Sequence, residues 1–176
     1  MNRLVLPVIA SLLAGCSVDD GSNERVNSKD PEAVLHWASK YHGRNNTAFS
    51  FKDGRLSFQH DGGPRINPVF FGGDIVYRLL AAFKKAADDP SAIKTIEVTF
   101  RTKLIDKYNN PLGSRPVLTL EFDGTEAWKY NIEKSTAFDM VDTAKITFLH
   151  PVAEAEVRKY CTDSGKHSQN FCERVR

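Results

Sequence analysis

Hydrophobic positions recur along this chain with two periods, and the switches between them mark out its elements. From Asp30-Pro31-Glu32 the spacing is helical. Val34, Leu35, Ala38 and Tyr41 fall three or four apart, behind a capping Asp and a Pro at the first helical position. Gly43 marks the stop. The period then drops to two: Phe49-Ser50-Phe51 and Leu56-Ser57-Phe58 alternate around Lys52-Asp53-Gly54-Arg55. Asp-Gly between alternating runs predicts a tight hairpin. His60-Asp61-Gly62-Gly63-Pro64 reads as a loop after it.

Gly72-Gly73-Asp74 leads into the clearest helix. Ile75, Val76, Leu79, Leu80 and Phe83 make one apolar stripe, Arg78, Lys84 and Lys85 fall elsewhere, and Asp88-Asp89-Pro90 ends it. The best strand follows, with Ile96, Val98, Phe100, Thr102 and Leu104 alternating with Glu97, Thr99, Arg101 and Lys103. Leu118, Leu120 and Phe122 form its partner, across a loop at 106–114 rich in turn formers. After Asp123-Gly124 the spacing of Trp128, Ile132, Phe138 and Val141 returns toward helix. Ile146-Thr147-Phe148-Leu149 fits either a last strand or a helix end. Pro151 opens a helix carrying Ala153, Val157 and Tyr160 on one side; Gly165 breaks it, and Phe171 and Val175 predict a short final helix. The sum is an α+β fold: an antiparallel sheet of about four strands with helices packed on one face.

The first residues follow a different logic. Met1-Asn2-Arg3 is a short positive start, residues 4–13 are almost wholly apolar, and Ala14-Gly15-Cys16 supplies small residues at a cleavage point. That is the layout of an export signal. The apolar run falls short of the roughly 20 residues that a membrane span requires. Leu13-Ala14-Gly15-Cys16 resembles the lipobox of bacterial lipoproteins. The resemblance covers residues 1–17 and names no domain family. It implies a diacylglycerol thioether on Cys16, cleavage before it, acylation of the new amino group, and membrane anchoring by several acyl chains. Ser17, where an Asp would favour retention at the inner membrane, points toward the outer membrane, facing the periplasm. The alternative is an ordinary secretory signal followed by an unrelated cysteine. On the lipoprotein reading, residues 1–15 are signal peptide, 16–30 are the lipidated Cys and a flexible polar tether, and 31–176 form a single domain.

Charge adds little. Loss of residues 1–15 removes one Arg and leaves 23 Lys and Arg against 22 Asp and Glu. No field argues for nucleic acid. With Cys16 lipidated, Cys161 and Cys172 remain, and in an oxidising envelope they are expected to pair. A two-cysteine metal site would need further ligands, and only His167 lies between them; the C-x-x-C spacing of a redox pair is absent.

Candidate chemistry is sparse. His36 and His42 are six apart and cannot share a helix face as metalloprotease histidines do. No metal site or cofactor is expected. His60, Asp61 and Arg65, in a glycine-rich stretch, form the most site-like group, weighed against a plain connecting loop. Phe70 and Phe71 sit in a loop bounded by Pro68 and Gly73 and are candidates for partner contact. Gly72-Gly73 could cradle an anion at a helix start, but Asp74 would repel it and a cap fits better. Asp139 and Asp142, three apart, could do acid–base work, although a solvated helix face explains them as well. These observations favour a non-enzymatic envelope lipoprotein that binds another envelope protein. The alternatives are a cell-envelope hydrolase using His60 and Asp61, or a carrier of a small ligand or lipid.

Overall fold

A computed structural model describes residues 25–43, 46–61, 67–163 and 165–175. Cys16 and Arg65 lie outside these residues, as does most of the expected tether. The elements are α1 (Pro31–His42), β1 (Asn46–Lys52), β2 (Arg55–Asp61), α2 (Pro68–Ala86), β3 (Thr95–Ile105), β4 (Pro111–Asp123), α3 (Gly124–Ala127), α4 (Ala137–Asp142), β5 (Ala144–Phe148), α5 (Pro151–Asp163) and α6 (Gln169–Arg174). Short 3₁₀ turns lie at Pro90–Ala92 and Gly165–His167.

The fold is α+β, with one correction to the sheet. It has five strands in the order β1-β2-β3-β4-β5, and it is mixed: β2 and β3 run parallel, while the other neighbours are antiparallel. Two hairpins are therefore not simply laid side by side. A parallel pair needs a crossover, and α2 supplies it. Leu56, Phe58, Ile96, Val98, Phe100, Leu118, Leu120 and Phe122 all face the helices and are buried. The opposite face is polar. Glu97 and Glu121 lie directly across from each other there. Like charges so placed repel, and Arg55 offsets this by reaching both carboxylates with Nη1, at 2.9 and 2.7 Å.

Helix α2 is the second layer. It starts earlier than the apolar stripe indicates, at Pro68, because Asn67 caps it: Asn67 Oδ1 accepts from the amides of Val69 and Phe70. Phe70 and Phe71 are therefore helical and not in a loop. Gly72 and Gly73 lie inside the helix and are buried. A Cβ on Gly72 would stand 2.8 Å from Leu120 Cδ1, and one on Gly73 would stand 2.3 Å from the Ala137 carbonyl oxygen. The pair lets α2 approach both the sheet and α4 closely, which is why it forms no anion cradle.

Asp53 and Gly54, both with positive φ, make the predicted β1–β2 turn. Edge strand β1 carries an irregularity between Thr47 and Ser50, with Ala48 at φ 52°. The helical spacing after Gly124 resolves into two short helices, and the ambiguous segment around Ile146 is strand β5, antiparallel to β4. The body also takes in residues that read as tether. Val26 is buried and forms a parallel bridge with Ala87, and Asp88 accepts from both the amide and the hydroxyl of Ser28. Near the C-terminus the sulfurs of Cys161 and Cys172 stand at disulfide distance, 2.01 Å, tying α5 to α6. No helix among the described residues is long and apolar enough to cross a membrane.

Candidate functional site

The distinctive geometry lies at one end of the sheet. The last β2 pairing is Asp61 with Arg101, and β5 ends at Phe148 opposite Leu118. Among the described residues, β3 and β4 pair beyond these points only with each other, through Thr102 with Arg115 as far as Ile105 with Pro111. The result is a two-stranded arm that overhangs both neighbours. At about 3.4 Å per residue, residues 102–105 carry it roughly 14 Å past the sheet.

The arm is well formed. Asp106 organises its tip: Oδ1 accepts from the amides of Tyr108 and Asn110, both at 2.8 Å, and Oδ2 accepts from Asn110 Nδ2 at 3.0 Å. Those hydrogen bonds, the Asn110 side chain first, hold the Asp106 carboxyl below its usual range. Asn109 takes the left-handed region, as Asn tolerates. A register shift follows between Leu104 and Ile105, where Gly113 at φ 75° lets β4 carry Leu112 as an extra residue. Ile105 is 64% exposed, Tyr108 72% and Leu112 45%. Lys107 Nζ lies 4.8 Å from the Tyr108 ring centre. Lys103, Lys107 and Arg115 outnumber the one acid, Asp106.

At the root of the arm the two sheet faces differ. On the helix side lies a cavity of about 140 Å³. Phe100 and Leu104 from β3, Val117 from β4, Phe71 from α2 and Val152 from α5 supply its apolar walls; His60 and Thr102 line it with Arg101, Lys103 and Glu156. A second shift, opposite Phe100 and Arg101 of β3, makes Val117 the extra residue of β4; Val117 is buried beside Leu118, and its carbonyl accepts from the amides of Leu149 and His150. That contact sets α5 against the cavity. On the open side Asp61, Arg101, Ser114 and Gln59 form a hydrogen-bonded cluster. Ser114 Oγ donates to Asp61 at 2.9 Å, Arg101 Nη1 to Gln59 at 2.8 Å, and Arg101 Nη2 to the Ser114 carbonyl at 2.9 Å.

The sequence-derived candidates fall as follows. His60 and Asp61 are strand residues, and neighbours in a strand point to opposite faces. His60 is buried, with its ring 4.9 Å from Phe71 and 5.5 Å from Phe100. Burial pushes its pKa down, with a smaller opposing pull from Asp61. Asp61 faces the open side, 3.6 Å from Arg101. The sheet therefore separates the two side chains. Phe71 lines the cavity, whereas Phe70 is 39% exposed and rests on Phe138, ring centres 5.1 Å apart. Asp139 and Asp142 have structural tasks: Asp139 accepts from the Thr136 amide and hydroxyl, and Asp142 from the Phe171 amide. Sequence reading missed the arm and the orphan Thr102 hydroxyl. The residues of 106–114 looked like a loop, and only the unequal strand lengths reveal the overhang. Among the described residues no group of three or more His, Cys, Asp or Glu is arranged to hold a metal ion. Comparison of the chain with protein-family models, with curated proteins and with solved structures finds no match.

Proposed function

We propose that this protein is an envelope lipoprotein, held to the outer membrane through Cys16, whose folded body binds another envelope protein through the β3–β4 arm. The observation that carries the docking reading is the overhang itself. Ile105, Tyr108 and Leu112 stand exposed on a hairpin that no helix among the described residues covers. A lone hairpin is marginal in water, and clustered exposed apolar side chains mark contact surfaces. The Asp106 network forms the tip in advance, so little ordering opposes binding. The excess of basic side chains favours a partner face that is neutral or acidic. The anchoring reading rests on the Leu13-Ala14-Gly15-Cys16 signal.

Site-specific photocrosslinking in cells tests the docking. A photoreactive residue at Ile105 or Tyr108 should yield a defined protein adduct, and one at exposed Thr125, beside the far end of β4, should not. Absence of any adduct from both arm positions would remove the support for this reading. Membrane fractionation of Cys16→Ala tests the anchor, since a chain that is still cleaved and membrane-bound would refute it.

A further inference from the structure

We propose that the cavity at the root of the arm is a binding site for a small uncharged ring or short branched chain bearing one hydroxyl or carbonyl group. Size is the first argument. At about 140 Å³ it matches an engineered apolar cavity of about 150 Å³ that admits benzene. Wall chemistry is the second. Phe71, Phe100, Leu104, Val117 and Val152 offer apolar surface. Water filling such a space needs two to four polar partners per molecule, and these walls supply few.

Thr102 fixes the polar group. Thr102 lines the cavity, and its Oγ1 is screened from solvent without a hydrogen-bond partner among the described residues. A buried hydroxyl left unmatched is costly, and a ligand oxygen would satisfy it once rotation of the Thr102 side chain turns the hydroxyl from its screened position toward the cavity. The ligand is uncharged because the walls are mostly apolar and the charged residues that border them, Arg101, Lys103 and Glu156, are of both signs and select neither an anion nor a cation. His60 fits this picture, since burial favours its neutral form. The cavity reaches the surface: Val152 and Lys103 at its edge are exposed, which gives a ligand its entry. Thr102 and Leu104 also belong to the arm, so an occupied cavity would brace the arm where it leaves the sheet.

The test is calorimetric titration of the purified full chain in lipid nanodiscs with phenol and with toluene, with empty nanodiscs subtracted. Both probes should bind, with phenol favoured. Thr102→Val should keep toluene binding and lower phenol affinity about tenfold, the effect of one lost buried hydrogen bond. Ala153→Leu, which fills the space, and Val152→Trp, which blocks its edge, should each abolish both; the second is a surface change and guards against misfolding of the first. No binding of either probe to the wild-type chain overturns the site. Binding unchanged in both filled variants overturns the location, and a phenol preference untouched by Thr102→Val overturns the role of the hydroxyl. These readings are independent of crosslinking at the arm, so failure of either proposal leaves the other standing.

Discussion

Acid should unfold this domain earlier than its carboxylates alone would dictate, and His42 is the reason. His42 ends α1, half-buried, with its ring 4.7 Å from that of Tyr41. Its pKa is lowered from 6.5 to about 4. Burial is the main cause, the Arg78 cation adds to it, Asp74 opposes, and His60 contributes slightly in the same direction as Arg78. The unfolded chain therefore takes up this proton near pH 6.5 and the folded one only near pH 4. Wherever the unfolded state binds more protons, stability rises with pH. Folding is thus fully favoured by this group above about pH 6.5, and the contribution is lost as pH falls toward 4. At about 1.4 kcal/mol per tenfold change in proton affinity, the loss is about 2 kcal/mol by pH 5 and about 3 kcal/mol by pH 4. Such a loss is a substantial share of the roughly 5–15 kcal/mol that holds a typical domain together. His60 acts with the same sign. Asp88 and Asp106, both lowered from 3.8, keep their contributions until the pH falls below that value, which separates the two windows.

The assay is urea unfolding followed by the fluorescence of Trp37 and Trp128 at a series of pH values, for the wild-type chain and for His42→Gln. Glutamine keeps a polar side chain of similar reach but does not titrate. The variant should be less stable at pH 7.5 through lost packing, yet its stability should fall by about 3 kcal/mol less between pH 7 and pH 4. A residual slope from His60 is expected. Parallel pH profiles for the two chains would refute the assignment, as would an NMR titration placing His42 near 6.5.

Other consequences follow from the packing. Gly73→Ala forces a methyl group against the Ala137 carbonyl and should cost about 2–3 kcal/mol despite a better helix propensity, whereas Gly72→Ala meets side chains alone, Leu120 at 2.8 Å with Phe122 and Phe100 at 3.3 and 3.4 Å, and should cost less; urea midpoints give both. Reduction of the Cys161 and Cys172 pair, eleven residues apart, should lower stability by about 2–3 kcal/mol, and intact mass under non-reducing conditions should be two hydrogens below the reduced mass. Ser168 is buried, its hydroxyl 2.7 Å from Tyr160 Oη and 3.2 Å from the Phe138 carbonyl; Ser168→Ala should cost about 1–2 kcal/mol. Ile105→Asp and Tyr108→Asp should change stability by less than about 0.5 kcal/mol while abolishing partner crosslinking, and a large loss of stability from either would show that the arm is structural.

Period-two alternation made β3 and β4 legible, because each has one wet face: Ile96, Val98 and Phe100 are buried, and Glu97 and Thr99 look outward. The β1–β2 turn was legible for the same local reason, with Asp53 and Gly54 both accepting positive φ. Pairing between hairpins was not. Leu56, Phe58 and His60 alternate identically whether β2 runs parallel or antiparallel to β3, and only the crossover through α2 decides the direction. Gly72 and Gly73 misled in a specific way. Glycine reads as a break in a lone helix, yet here its missing Cβ answers to Leu120 and Ala137, residues far along the chain. Val26 misled conversely: one apolar residue in a polar stretch carries no period, and its burial depends on Ala86 and Ala87 being presented at the far end of α2.

The candidate site was less legible than the fold because it depends on lengths rather than on residue types. β3 and β4 have 11 and 13 residues, but β2 and β5 have 7 and 5. Nothing within residues 102–105 announces that their neighbours have ended. The same alternation that buries Phe100 continues through Thr102 and Leu104, so these side chains face inward where the covering layer thins, and a cavity forms there. One step further out, the extra residue in β4 places Leu112 in solvent. The arm and the cavity are thus two results of one mismatch in strand length. A change that shortens the overhang, such as deleting Ile105 together with Leu112, should remove two of its three exposed apolar side chains while leaving Thr102 and the cavity in place. Loss of crosslinking with phenol binding retained is the expected outcome. Loss of both would mean that the arm tip also shapes the cavity, through Leu104, the arm residue in its wall.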